Sequence, residues 1–369
     1  VRIVVAPDKF AGTLTAPEAA RAIAEGWRRS APGDELVEAP MADGGPGFAD
    51  ALHSAFGDAS RIEVVTVPGP LGEPTPVGLL LHGDTAYLES AQACGLHLVG
   101  GERPMDATTV GVGRALAAAV DGGARRIVIG LGGSATTDGG AGLLAALGAT
   151  ADVPLDAGPA GLDGVNVVDL GPVRERLAGV ELVVAADVET TLLGMFGAAR
   201  TFGPQKGLSD EQILTVDHRL DRFVEAVCGS TPAERRVADL KGAGAAGGLG
   251  FALMVLGAEV TSGIGLVAQE SGLDELLDGA DLVLSGEGAF DYSSRAGKVV
   301  HGVATVAMRH AVPCVVLAGR VDVGSREMRA LGVESAYSLV DRVGVEAAMA
   351  EPARHLGDLA ARVARSWSA

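Results

Sequence analysis

The stretch Gly130-Leu131-Gly132-Gly133-Ser134-Ala135-Thr136-Thr137-Asp138-Gly139-Gly140-Ala141-Gly142 concentrates groups that bind anions. Little Cβ bulk lets backbone N–H groups converge on one ligand, and a helix N-terminus behind the loop adds partial positive charge. The hydroxyls of Ser134, Thr136 and Thr137 and the carboxylate of Asp138 suit phosphate and a Mg²⁺ shell. The plainer alternative is a tight turn of an α/β sheet, its glycines serving only helix–strand packing. So many glycines beside three hydroxyls favour a ligand site.

Similar corners recur. Acids stand where strands would deliver them: Asp8, Asp43, Asp138, Asp187, Glu287 and Asp291. Lys9, Lys206 and Lys298 lie in or beside glycine loops, and Asp43 precedes Gly44-Gly45 as Asp138 precedes Gly139-Gly140. An Asp before two glycines is often only a turn or cap. The run Gly242-Ala243-Gly244-Ala245-Ala246-Gly247-Gly248 reads equally as tight helix packing or as a second phosphate cradle through Gly244 and Gly247. P-loop, dinucleotide-turn and HExxH assignments are set aside, and Ser134 lacks the second glycine of a GxSxG elbow. What remains suits phosphoryl transfer, which needs amides and lysines for polyphosphate, a carboxylate holding Mg²⁺, and another carboxylate to accept a hydroxyl proton. Catalysis then rests on position and electrostatics.

These corners need strands and helices behind them. Residues 2–6 read as a buried strand, and Thr15 with Glu18 forms a capping box for a helix over 16–29. A strand at 35–39 leads to Asp43. Residues 61–90 look antiparallel, and Pro68 to Pro74 marks a hinge or hairpin and the expected crossing between domains. A helix over 106–120 feeds the strand before the glycine loop. The strand 181–186 ends at Asp187, and a helix of 209–228 carries an exposed His218. From 281 onward, strands and helices alternate cleanly, with Ser293-Ser294-Arg295-Ala296-Gly297-Lys298 opening a helix. Two parallel-sheet ends around a mixed middle imply an α/β fold of two domains, a discontinuous one of 1–70 plus 285–369 and an inserted one of 71–284.

The 369 residues are enough for about two domains. A net charge of −18 argues against nucleic acid or an anionic membrane as partner and requires local inversion of the field at any anion site. No window reaches the roughly 18 apolar residues of a membrane span, and the first residues enter a strand directly, so a cytoplasmic protein is expected. Cys94, Cys228 and Cys314 read as small hydrophobes rather than a disulfide or zinc site.

Taken in order, the motifs resemble the type I glycerate kinases. They are Ala6-Pro7-Asp8-Lys9-Phe10, Met41-Ala42-Asp43-Gly44-Gly45, Gly130 to Gly142, Phe202-Gly203-Pro204-Gln205-Lys206-Gly207, Gly242 to Gly248 and Gly286-Glu287-Gly288. The resemblance implies a flavodoxin-like parallel-sheet domain built from both chain ends, an inserted mixed-sheet α/β domain, and an active site in the cleft. It implies ATP and Mg²⁺ as cofactors and D-glycerate as the small hydroxy acid converted to 2-phosphoglycerate. On this reading Asp43, Asp187 and Lys9 are catalytic. Gly132, Gly133, Ser134, Thr136, Thr137, Asp138, Lys206, Gly244 and Gly247 hold the nucleotide. Asp8, Gly44, Gly45, Glu287, Asp291 and Lys298 meet the acid, and Asp187 and Glu287 hold the metal. The sequence leaves oligomeric state open.

Three positions depart from the family pattern. Pro46 replaces a Glu, Thr190-Thr191 replaces Asn-Pro, and Ser293 replaces a Gln. They leave two alternatives: a kinase of another hydroxy acid or polyol, or a ligand-binding paralogue without turnover.

Overall fold

The computed structural model describes residues 1–292 and 298–368. The chain divides into two compact units, one of residues 1–43, 50–57 and 262–369, the other of residues 44–49 and 58–261.

The first unit holds a five-stranded, all-parallel sheet. Its spatial order is Val333–Ser338, Cys314–Ala318, Leu282–Ser285, Arg2–Val5, Glu35–Glu38. Numbered along the chain and read from the Glu35–Glu38 edge, this is 2-1-3-4-5, the flavodoxin order. Strand residues alternate between faces. Ile3, Val5, Leu282, Leu284, Val315 and Leu317 thus share one core with the helices Ala16–Arg28 and Pro352–Trp367. Thr15 caps the first of these helices, with the expected capping box to Glu18. The two helices approach at Gly26 and Gly357, where a Cβ on Gly26 would meet the Gly357 backbone.

The second unit holds a six-stranded mixed sheet. Glu259–Thr261, Glu181–Ala185, Arg126–Gly130 and Thr85–Glu89 run parallel, and Pro74–His82 and Ser60–Pro68 continue antiparallel. The helices Val110–Asp121 and Ala141–Leu147 pack together beside it. Both expected sheet types are present, and each unit is made from separate stretches of the chain.

The expected boundaries shift. Pro68 and Pro74 face each other in the Ser60–Pro68/Pro74–His82 hairpin, closed by Gly69 N–H donating to Glu73 O at 2.7 Å. A Pro/Gly-rich run signals a turn without saying whether it joins strands or domains. Residues 262–284, with the helices Gly263–Glu270 and Leu273–Leu277, group with the first unit rather than the insertion. The 150–180 stretch carries a small antiparallel pair, Thr150–Ala151 with Val168–Asp169. Among the described residues no helix is long and apolar enough to cross a membrane.

Candidate active site

The polar residues gather in two places, one in each unit. In the first unit, the loops leaving the carboxyl ends of the parallel strands line a cavity of about 500 Å³. Ligands bind in this region of open parallel sheets because the loops there converge. Asp8 is held by its N–H donating to Gly286 O at 2.8 Å, and its Oδ1 accepts from Lys9 N at 2.7 Å. Lys9 Nζ lies 3.5 Å from Asp8 Oδ1 and 3.8 Å from Asp43 Oδ1. Burial pushes the Asp8 carboxyl up to about 6, with the Lys9 charge pulling it down and the Asp43 charge pushing it further up. Glu287, Lys298 and Arg320 add to the polar lining, and Phe10, Leu339, Val340, Val345 and Met349 supply an apolar wall. The structure therefore brings together Asp8, Lys9, Asp43, Glu287 and Lys298, as their motif positions suggest. Arg320 and the apolar wall were not singled out. Gly319-Arg320 directly follows a strand, which was the available signal.

In the second unit, a smaller cavity of about 100 Å³ is lined by Gly132, Gly133, Ser134, Gln205 and Lys206 among others. Lys206 is 3 % exposed. Its ammonium donates to Ser134 Oγ at 3.0 Å and to Thr136 O at 2.6 Å, both neutral. Burial lowers its pKa to about 8, opposed by the charges of Cys94 and Asp138.

The glycine loop behind this cavity departs from expectation at Asp138. Its carboxylate is fully buried and accepts from Thr109 N, Thr109 Oγ1, Gly140 N and Gly142 N. Burial pushes this carboxyl up, against the pull of those four donors. The helix-entry amides expected to meet an external phosphate are thus occupied by the chain's own carboxylate. Asp138 fastens the loop to Thr109, and it is not on the cavity wall. Thr136 and Thr137 are buried with it.

Gly247 answers the open question over the second glycine run. It has φ +69°, its carbonyl accepts from Gly139 N at 3.0 Å, and a Cβ there would overlap Thr136 O. Gly244 likewise abuts Thr191 O. Both glycines therefore serve close backbone packing. Residues 242–247 do spell GxGxxG. A dinucleotide turn is excluded because a 3₁₀ segment, Glu234–Asp239, precedes the run where such a turn needs a strand.

Gly44 packs against Ala185 O and Gly45 against Gly132, so both support the loop. Asp187 follows the strand Glu181–Ala185 and Asp291 follows Ala289–Phe290; both are half-buried and line neither cavity. Ser293 and Ser294 lie outside the described residues. Cys94, Cys228 and Cys314 are free, and burial pushes the thiols of Cys94 and Cys314 up to about 12. Among the described residues no group of three or more His, Cys, Asp or Glu could hold a metal.

The family model described as "Glycerate kinase family" matches residues 3–368. The chain belongs to the glycerate kinase family. It is 40% identical over 355 residues to the glycerate 2-kinase of Escherichia coli K12, covering 93% of this chain and 92% of that one. It is 38% identical over 379 residues to a glycerate kinase of Bacillus subtilis 168, covering 99% and 97%. An uncharacterized protein of Mycobacterium bovis is 42% identical over 371 residues, covering 99% and 91%. A crystal structure from Salmonella typhimurium LT2, provisionally named glycerate kinase 2, superposes with a TM-score of 0.83 at 35% identity, covering 100% of this chain and 98% of that one. The protein is thus a glycerate kinase-like phosphotransferase with an alcohol group as acceptor.

Proposed function

We propose that the protein transfers the terminal phosphoryl group of ATP to a hydroxyl of D-glycerate, giving 2-phosphoglycerate. The observation that carries this reading is the meeting of Asp8, Lys9, Asp43, Glu287 and Lys298 in one cavity, in a chain matched by the glycerate kinase family from residue 3 to 368. Membership alone names the chemistry, and the cavity supplies parts suited to it.

Asp43 is the group we assign to accept the acceptor hydroxyl's proton, with Asp187 as the other candidate. Lys9, beside both Asp8 and Asp43, neutralises charge developing on the transferred group. Lys298 and Arg320 add positive charge to the same cavity. A preformed metal cage is not needed for Mg²⁺, which is commonly held by one or two carboxylates together with substrate phosphates. The carboxylates on this cavity fit that arrangement, with Glu287 as holder here and Asp187 as the second candidate. When bound, Mg²⁺ would neutralise phosphate charge.

One observation favours a second reading, a different small hydroxy acid as acceptor. Pro46, where the family pattern has Glu, packs against Gly133 on the wall of the Lys206 cavity: a Cβ on Gly133 would lie 3.0 Å from its ring. ADP release measured with D-glycerate and a panel of hydroxy acids separates the two, and NMR of the product places the phosphate. ADP formation with D-glycerate supports the first reading. Formation only with another acid supports the second, and none with any acid leaves neither standing.

A further inference from the structure

Resting on the phosphotransfer reading above, we infer that the Lys206 cavity binds the carboxylate of the hydroxy acid, and that the nucleotide belongs to the first unit's cavity lined by Asp8, Lys9 and Asp43. This reverses the assignment suggested by the glycine-rich sequence.

Size is the first argument. A cavity of about 100 Å³ suits a small ligand such as a three-carbon acid better than a whole nucleotide. A nucleotide needs a site of the roughly 300–1,000 Å³ typical of larger ligands, and the first unit's cavity of about 500 Å³ lies in that range. Chemistry agrees, because the lining of that larger cavity combines the cations Lys9, Lys298 and Arg320 and carboxylates suited to Mg²⁺ with apolar side chains. A nucleoside triphosphate is anionic at one end and carries a flat base at the other.

Hydrogen-bond accounting supplies the independent argument. An ammonium has three donors, and Lys206 spends two of them on neutral oxygens. Its charged neighbour Asp138 makes no hydrogen bond to it, being held by Thr109, Gly140 and Gly142, so the third donor is left for a ligand. Among the described residues the backbone amides of Gly132, Gly133 and Ser134 donate to no protein acceptor. Successive unpaired amides form an anion-binding concavity. The helix-entry amides of Gly140 and Gly142 are closed to a ligand by Asp138. One small anion, bound by Lys206 Nζ and the 132–134 amides, answers both the third ammonium donor and the unpaired amides.

The test compares the wild type with Lys206→Met, Lys206→Arg, Ser134→Ala and Met349→Asp. Steady-state KM is measured for each substrate, and calorimetric titration with D-glycerate alone and with ADP alone gives the two affinities separately. Lys206→Met is expected to weaken D-glycerate about 10- to 100-fold while ADP binding stays within about threefold. Met349→Asp is expected to show the converse. Ser134→Ala, a milder change, is expected to move D-glycerate in the same direction and covers the case in which Lys206→Met fails to fold. Loss of ADP binding in the Lys206 or Ser134 variants, with D-glycerate unaffected, overturns the inference by placing phosphates in the small cavity. If the wild type phosphorylates no acid, the functional reading fails, and titration with small 2-hydroxy acids still decides the cavity. Binding lost in Lys206→Met then supports it, and no binding of any acid overturns it.

Discussion

Asp138 Oδ2 accepts two hydrogen bonds from Thr109, one from its backbone amide at 2.9 Å and one from its hydroxyl at 2.8 Å. With Gly140 and Gly142 donating as well, this carboxylate joins the glycine loop to the entry of the helix Val110–Asp121. Replacing it by Ala leaves several buried donors unpaired. Asp138→Ala is expected to destabilise the fold by about 3–5 kcal/mol, since an unsatisfied buried donor costs about 1–3 kcal/mol. The urea midpoint checks this; a midpoint within error of wild type would show that water replaces the carboxylate.

Gly247→Ala tests the packing between two loops. The variant needs φ +69° and places a Cβ on the Thr136 carbonyl. Expected is a loss of more than about 3 kcal/mol or insoluble protein, the range of overpacking added to backbone strain. Normal yield and melting temperature would contradict the close approach.

Asp8 gives stability a pH dependence of defined sign. Its folded value, about 6, lies above the ordinary 3.8, so the folded chain binds more protons between those values. Its contribution favouring the fold is full below about 3.8 and is lost as pH rises through about 6. Asp8→Asn removes this. Relative to the variant, the wild type is expected to lose about 3 kcal/mol between about pH 4 and pH 7, two units at 1.36 kcal/mol each. Urea midpoints of both proteins at the two pH values provide the measurement, and parallel profiles would refute the shift.

Asp43→Asn separates chemistry from folding. Asp43 is half-buried beside Lys9, so the isosteric amide is expected to change stability by no more than about 0.5 kcal/mol. Turnover is expected to fall about 10²- to 10⁴-fold, the usual contribution of a positioned base. Full kcat with intact ATP affinity would pass the role to Asp187.

Lys206 links pH to acid binding. Its charged neighbours are Asp138 and, if ionised, Cys94, whose thiol is pushed up to about 12 and so stays neutral at lower pH. As pH rises through about 8 the ammonium loses its proton. KM for the acid is then expected to rise about tenfold per pH unit, with KM for ATP flat over the same interval. A flat acid KM up to pH about 9.5 would remove Lys206 from that contact.

Local grammar was legible in the sequence where one short segment determines the outcome. The Thr15–Glu18 box, the parallel strands at both ends and the antiparallel hairpin each follow from adjacent residues. The acids after Arg2–Val5, Glu35–Glu38 and Leu282–Ser285 were found because strand ends in a parallel sheet deliver side chains to one edge. What escaped depends on distant partners. Nothing in residues 130–142 reveals that Thr109 donates to Asp138, and that bond turns a suspected phosphate ligand into a brace. The Pro68–Pro74 turn and the glycines at 244 and 247 were ambiguous for the same reason: each signals a backbone shape and leaves its neighbour unnamed.

The strand Arg2–Val5 pairs with Glu35–Glu38 on one side and with Leu282–Ser285 on the other. During translation its second neighbour leaves the ribosome only after the whole 58–261 segment has been made. The Arg2–Val5 strand therefore waits with one row of backbone groups unpaired while the later-made middle has all six of its own strands available. Nascent chains halted after residue 261 would display a protease-resistant middle and a digestible beginning, and the beginning would become resistant only once Leu282–Ser285 emerged.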